Sequence, residues 1–131
     1  MREIKFRGKT ADGKWLYGSL INLKSGPSIL TETTDDEADQ YPVLSETVGQ
    51  SIGLKDKNGK EIFEGDYISY ENEIYEIIEF AGAFLGSRNE TDKRGRRASV
   101  WIDFFSNQID RDVLVIGNIH ENSELMRPKY A

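Results

Sequence analysis

GLKDKNGKEIFEGDYI, residues 53–68, decides between a chain built from hairpins and a chain built around acidic chemistry. Asp56-Lys57-Asn58-Gly59 has the composition of a tight turn. Asp and Asn bond to nearby main-chain groups, and Gly59 or Asn58 accepts the left-handed conformation that most residues resist. Glu64-Gly65-Asp66 is a second bend, set just before an apolar run. The two bends isolate 60–63 as a short strand between strands at 51–55 and 67–70. Strands joined by turns this short are expected to be antiparallel neighbours. Ile62 and Phe63 are adjacent on the middle strand, so one is expected in the core and the other toward a partner.

The same residues can be read as chemistry. Asp56-x-Asn58-Gly59 echoes the later part of a calcium loop, but Leu54 stands where an earlier acidic ligand is required. Gly65 stands where the closing Glu would be. The remaining chemical alternative pairs Asp66 or Glu61 with a carboxylate from elsewhere, such as Asp103, to hold a divalent metal, as in a hydrolase or nuclease, and it turns on whether Asp56, Glu61, Glu64, Asp66 and Asp103 converge. His120 is the sole histidine, and no G-x-S-x-G ties a serine to it, so it is read as a packed or surface ring. Neither a G-x-G-x-x-G nor a G-x-x-x-x-G-K-[ST] occurs. No catalytic, cofactor-binding or metal-ligating residue is assigned on these grounds, and no cofactor or small-molecule ligand is expected.

Composition bounds the rest. At 131 residues the chain suits one domain, burying roughly two-thirds of its unfolded surface without a staple. It has no cysteine, which removes disulfides, thiolate metal sites and a thiol nucleophile, and fits a cytoplasmic location. MREIKFRGKT has charge but no apolar run behind it, so no secretory signal is read, and no stretch is apolar enough for a membrane helix. With 37 % hydrophobic and 31 % charged residues the chain is polar but foldable. A net charge of −6 opposes non-specific approach to a polyanion.

Outward from the central hairpin, apolar runs alternate with turns. REIKFR (2–7) places Ile4 and Phe6 on one face and charges on the other. After the turn at Ala11-Asp12-Gly13, KWLYGSLINL (14–23) reads as its hairpin partner, ended by Gly26-Pro27. TETTDDEADQ (31–40) holds five acids and no base and reads as a solvated loop. Residues 74–81 have helical spacing in places but are dense in Ile, Tyr and Phe, which favours a strand. GSRNETDKRGRR (86–97) reads as a basic loop, followed by a strand at 98–105. VLVIGNI (113–119) is expected to be the most buried strand, and ENSELMRPKY a short helical tail. The expected fold is mainly β, a small barrel-like body or two packed antiparallel β subdomains with a short C-terminal helical turn. It is taken as one domain over 1–131, with an N-terminal hairpin subdomain at 1–30 and the main meander at 41–126.

Three segments carry a resemblance: REIKFRG at the start, ETVGQSIGLKDKNGKEIFEGDYI (46–68) and VIGNIHENSELM (115–126). In that order they resemble the YopX family, small proteins encoded mainly by phages and prophages of bacteria. The resemblance implies a mainly β fold, a phage-related origin in a bacterial host cell and homo-oligomerisation, and it implies no catalytic residue. Together these readings point to a non-catalytic, self-assembling binding module. The alternative is a nucleic-acid-binding factor, in which Arg88, Lys93, Arg94, Arg96 and Arg97 meet phosphates while Trp101, Phe104 and Phe105 stack on bases. The same cations can instead meet the acidic block of a neighbouring subunit, which is the favoured contact.

Overall fold

The computed structural model describes residues 4–32, 38–91, 97–101 and 112–126. Among these residues eleven strands occur in the order β1 (Phe6–Lys9), β2 (Trp15–Leu23), β3 (Gly26–Glu32), β4 (Ala38–Pro42), β5 (Gly49–Lys55), β6 (Glu61–Phe63), β7 (Asp66–Tyr70), β8 (Glu73–Phe80), β9 (Ala83–Thr91), β10 (Arg97–Trp101) and β11 (Leu114–Asn118). Short 3-10 turns lie at Ser45–Thr47 and Ser123–Met126, the second being the expected C-terminal helical turn. The fold is mainly β, as expected. Among the described residues no helix is long and apolar enough to cross a membrane.

The strands form two antiparallel sheets, ordered β4-β3-β2-β1-β5-β6 and β10-β9-β8-β7-β11. The chain divides into two compact units, Met1–Gly53 and Leu54–Ala131, with the last two residues of β5 opening the second. In the first unit, β1 lies between β2 and β5, and β3 and β4 continue the meander beyond β2. Its buried apolar residues include Ile29, Val43 and Ile52. In the second unit the buried residues include Ile68 and Tyr75, directly opposite each other on β7 and β8, and Ile77. β8 is a strand throughout, so the helical spacing at 74–81 is incidental.

Several expectations from sequence need correction. Gly26-Pro27 does not end the N-terminal hairpin but begins β3. Positive φ at Gly26 turns the chain back, and the Pro27 carbonyl accepts from the Val43 N–H at 3.1 Å. The acidic stretch is not wholly a loop, because residues 31–32 finish β3 and 38–40 begin β4. β6 and β7 are not paired and lie in different sheets. Their connection runs through Gly65 at φ 93, whose N–H donates to the Ile77 carbonyl and whose own carbonyl accepts from Ile119. Those bonds commit the bend to the second sheet. Both Ile62 and Phe63 are buried, so neither is offered to a partner. β11 is not the most buried strand, because it is an edge strand whose residues are half-buried or exposed. Its neighbour β7, inside the sheet, is more buried, and beside β11 Val113 is fully enclosed.

Three of the four outer strands carry features that discourage further pairing. β10 and β11 each contain a register shift, and β4 ends on Pro42, which has no N–H to give to a ladder.

The Asp56–Gly59 turn forms as read from the sequence. Asp56 N–H donates to the Lys60 carbonyl at 2.8 Å, Gly59 N–H donates to the Asp56 carbonyl at 2.9 Å, and Gly59 has φ 81. A side chain on Gly59 would meet nothing within 4 Å, so its only cost is backbone strain. Gly59→Val is expected to lower stability by about 1–2 kcal/mol, since a β-branched residue resists this region. An unchanged melting temperature would contradict the turn assignment.

Candidate functional site

The central carboxylates are largely absorbed by the backbone. Asp56 is buried, and both of its oxygens accept main-chain bonds. Oδ1 accepts from the N–H groups of Asn58 and Lys60 at 2.9 Å, and Oδ2 from Val115 at 2.9 Å. Lys57 adds a bond from its N–H to the Val113 carbonyl at 3.0 Å. The turn is thereby fastened to the segment entering β11, far along the chain. Asp66 is also buried, and its Oδ2 accepts from the Phe63 N–H at 2.9 Å, closing the bend after β6. Glu61, which opens β6, and Glu64, in the bend itself, are half-buried. Asp103 lies outside the described residues, as do Phe104 and Phe105. Among the described residues no group of three or more His, Asp or Glu side chains is placed to hold a metal ion.

The C-terminal motif is likewise a backbone device. Asn118 Oδ1 accepts from the N–H groups of His120 at 2.9 Å and Glu121 at 3.0 Å. Asn122 Oδ1 accepts from the Asn118 N–H at 3.1 Å, and Asn122 N–H returns a bond to the Asn118 carbonyl at 2.9 Å. A Cβ on Gly117 would sit 2.6 Å from Asn122 Oδ1, so the reciprocal bonding leaves room only for glycine. His120 is half-buried within this turn. Nearby in sequence to the β7–β8 turn, burial pushes the Tyr70 phenol up, and the Glu71 and Asp112 carboxylates push the same way.

The basic candidates do not form one loop. Arg88 lies on β9 directly opposite Tyr75, with its guanidinium carbon 6.0 Å from the ring centroid. Strand β9 continues to Thr91 because the tight turn at Ala81 (φ 53) and Gly82 (φ 85) sets a hairpin whose register runs from Phe80↔Ala83 to Tyr75↔Arg88. Arg97 begins β10, and Trp101 ends it. Lys93, Arg94 and Arg96 fall outside the described residues.

A second set of cations and rings lies on the N-terminal hairpin, where the sequence shows only alternating charge. The β1–β2 register pairs Arg7 with Tyr17 and Lys9 with Trp15, so these four side chains share one face of the sheet. Lys5 precedes β1, and its carbonyl accepts from the Ser51 N–H at 2.8 Å. The Arg7 guanidinium carbon stands 4.7 Å from the Trp15 ring centroid and the Lys9 ammonium 5.7 Å from it. Arg7 is only 4 % exposed, whereas Ile4, read as inward from sequence, is 66 % exposed. The ring contact is what makes this inversion tolerable, since a guanidinium is weakly hydrated and packs against an aromatic face. The hairpin turn holds the arrangement. Thr10 N–H donates to the Lys14 carbonyl at 2.8 Å and Lys14 N–H to Thr10 Oγ1 at 3.0 Å. The Thr10 hydroxyl donates to Asp12, and that bond holds the Asp12 carboxyl below its usual range.

Compared with solved structures, the chain is similar to protein EF1440 from Enterococcus faecalis at 28 % identity, over 97 % of this chain and 100 % of that one, with a TM-score of 0.48. No curated protein matches it. The family model described as YopX protein matches residues 5–127, a span that holds both the Asp56 turn and the Asn118–Asn122 turn, and the chain belongs to the YopX family.

Proposed function

We propose that this YopX protein is a non-catalytic, self-assembling accessory module, encoded by a phage or prophage and working in the cytoplasm of the bacterial host. The observation that carries the non-catalytic reading is Asp56. It is the most obvious metal ligand in the sequence, yet both of its oxygens accept main-chain hydrogen bonds. A carboxylate so engaged is poorly disposed to bind a divalent ion, which needs those lone pairs. Self-association is supported by large apolar side chains left open, with Ile4 at 66 % and Phe80 at 65 % exposure the foremost. Because β10 and β11 are bulged, β4 ends on proline and β6 is only three residues long, contact through side chains is favoured over strand addition. Phage origin and cytoplasmic location rest on the family resemblance and on the lack of cysteine.

Sedimentation equilibrium on the purified protein tests this reading. A defined oligomer is expected at tens of micromolar, and a monomer at that concentration sinks the assembly claim. Titration calorimetry with Mg²⁺ and Mn²⁺ is expected to give no binding heat; saturable heat lost in Asp56→Asn would favour the hydrolase reading. The segment with Arg88, Lys93, Arg94, Arg96 and Arg97 is assigned to partner contact in this proposal. Neutralising Arg94, Arg96 and Arg97 together is then expected to change the oligomer's mass.

A further inference from the structure

We propose that Asn58 is a site of spontaneous deamidation, in which the Gly59 main-chain nitrogen attacks the Asn58 side-chain amide and the Asp56 turn sets the rate. The chemistry is independent of self-assembly and uses no residue of the basic segment at 88–97.

Sequence supplies the reactive pair. Asn58 is the one asparagine in the chain that precedes a glycine; the others precede Leu, Glu, Gln, Ile or Ser. The attacking nitrogen belongs to the following residue, and glycine has no Cβ to shield it. A Cβ built on Gly59 would meet nothing within 4 Å, so no neighbouring group takes the place of that shield. Lys57, Asn58, Gly59 and Lys60 are all exposed, which admits the water and base that the reaction needs. The two lysines bracket the pair, and their charge favours the amide anion that attacks.

The bonds balance without an oxidant or reductant. Base removes the Gly59 N–H proton, the nitrogen bonds to Asn58 Cγ, and the Cγ–Nδ2 bond breaks. Nδ2 leaves as ammonia, taking up a proton. Water then opens the five-membered imide. Attack at Cγ restores the original main chain with an aspartate at position 58. Attack at the Asn58 main-chain carbonyl carbon leaves Gly59 joined through Cγ, an isoaspartate with one more methylene in the main chain.

Structure supplies the brake. Gly59 N–H donates to the Asp56 carbonyl at 2.9 Å, so the nucleophile is occupied while the turn is closed. Asn58 is held as well, because its main-chain N–H donates to Asp56 Oδ1 at 2.9 Å. Losing these bonds makes the open, reactive turn about 5- to 30-fold rarer than in an unfolded chain. The reaction then dismantles its own brake. Either product sets a carboxylate two residues from that of Asp56, and like charges repel. Isoaspartate also moves the N–H groups of Gly59 and Lys60 along the chain, away from their Asp56 acceptors. Asn118 and Asn122 are the contrast. Both are half-buried, and the Oδ1 of each already accepts main-chain bonds.

The test incubates the full chain in mildly alkaline buffer and maps its peptides by mass spectrometry. A gain of about 1 Da is expected at Asn58, and a methyltransferase specific for isoaspartate is expected to label the same peptide. Asn118 and Asn122, read in the same digest, are expected to stay unchanged while Asn58 converts. The folded chain is expected to convert about 5- to 30-fold more slowly than the chain in guanidinium chloride. Asp56→Ala is expected to convert faster than wild type in the absence of denaturant. Circular dichroism melting shows whether that variant folds, and Asp56→Asn, which keeps one acceptor, is the folded comparison if it does not. Gly59→Ala is expected to lose the conversion even in denaturant, where its folding is irrelevant. The proposal is overturned by any of three results: conversion at Asn58 no faster than at Asn118 in the folded chain, undiminished conversion of Gly59→Ala in denaturant, or equal rates for folded and unfolded wild type.

Discussion

Asp56→Ala is expected to lower stability by about 3–5 kcal/mol, the largest effect of any single side-chain truncation in the turn region. The substitution removes the acceptor for three main-chain N–H groups, those of Asn58, Lys60 and Val115. Hydrogen bonds to an ionised acceptor contribute about 1.5–3 kcal/mol each, and a buried donor left without a partner costs about 1–3 kcal/mol. These terms overlap and water can reach the turn side, so the sum falls well short of three full bonds. The thermal midpoint is expected to fall by about 10–20 °C for a chain of this length. Asp56→Asn is the informative companion. If only one oxygen were used, as the turn motif by itself suggests, the amide would be a good replacement. Both oxygens are in fact used, so the amide NH₂ must face an N–H on one side. An intermediate loss of about 1–3 kcal/mol is therefore expected. Urea unfolding of both variants checks the ranking, and an Asp56→Ala protein that melts within a degree or two of wild type would falsify the anchoring role.

Gly18→Ala is expected to be nearly as damaging, for a different reason. A Cβ built at Gly18 lies 2.1 Å from the Leu30 carbonyl oxygen and 3.1 Å from the carbonyl carbon. The obstacle is main chain on the neighbouring strand, so no side-chain rotation relieves it. β2 must move away from β3 or the register from Ser19↔Leu30 onward must break. Overpacking of this kind costs about 1–3 kcal/mol where side chains can adjust, and about 3 kcal/mol or more is expected where a carbonyl must yield. Amide hydrogen exchange locates the damage. Protection is expected to be lost first along β2 and β3, with β7 and β8 little changed. Uniform loss across both units, or none, contradicts the assignment of Gly18 as a close-approach site.

Local chemistry was the legible part of this sequence. The Asp56–Gly59 turn, the strand at 73–80 and the 3-10 turn near the C-terminus each follow from a few neighbouring residues, and each was readable on its own. Sheet membership was not legible. Glu64-Gly65-Asp66 says that the chain bends, but only the distant carbonyl of Ile77 and the N–H of Ile119 decide which sheet receives the bend. Burial failed where a partner strand overrode the pattern. Ile4 and Arg7 exchange their expected environments because Trp15, eight residues beyond Arg7 and across a turn, supplies a ring for the guanidinium. The Tyr17 face was hidden for the same reason. Arg7 and Lys9 look like ordinary surface charge until the register sets Tyr17 and Trp15 opposite them. The buried place of Asp56 was half-readable: its turn bonds are local, whereas its bond to Val115 spans 59 residues.

That last bond has a consequence for synthesis on the ribosome. At about 5–20 residues per second, Asp56 is made roughly 3–12 s before the N–H group that completes its coordination. Throughout that interval the nascent turn has the acceptors it needs for Asn58 and Lys60, but the second carboxylate oxygen has only water. Strands β1 to β3 pair with near neighbours and can form as they emerge. The turn after β5 can close through its own bonds but lacks the link to Val113 and Val115 until they arrive, so a message truncated before that codon yields a turn without its clasp. Quality control that samples nascent chains would meet the second unit without this clasp for about four-fifths of its translation.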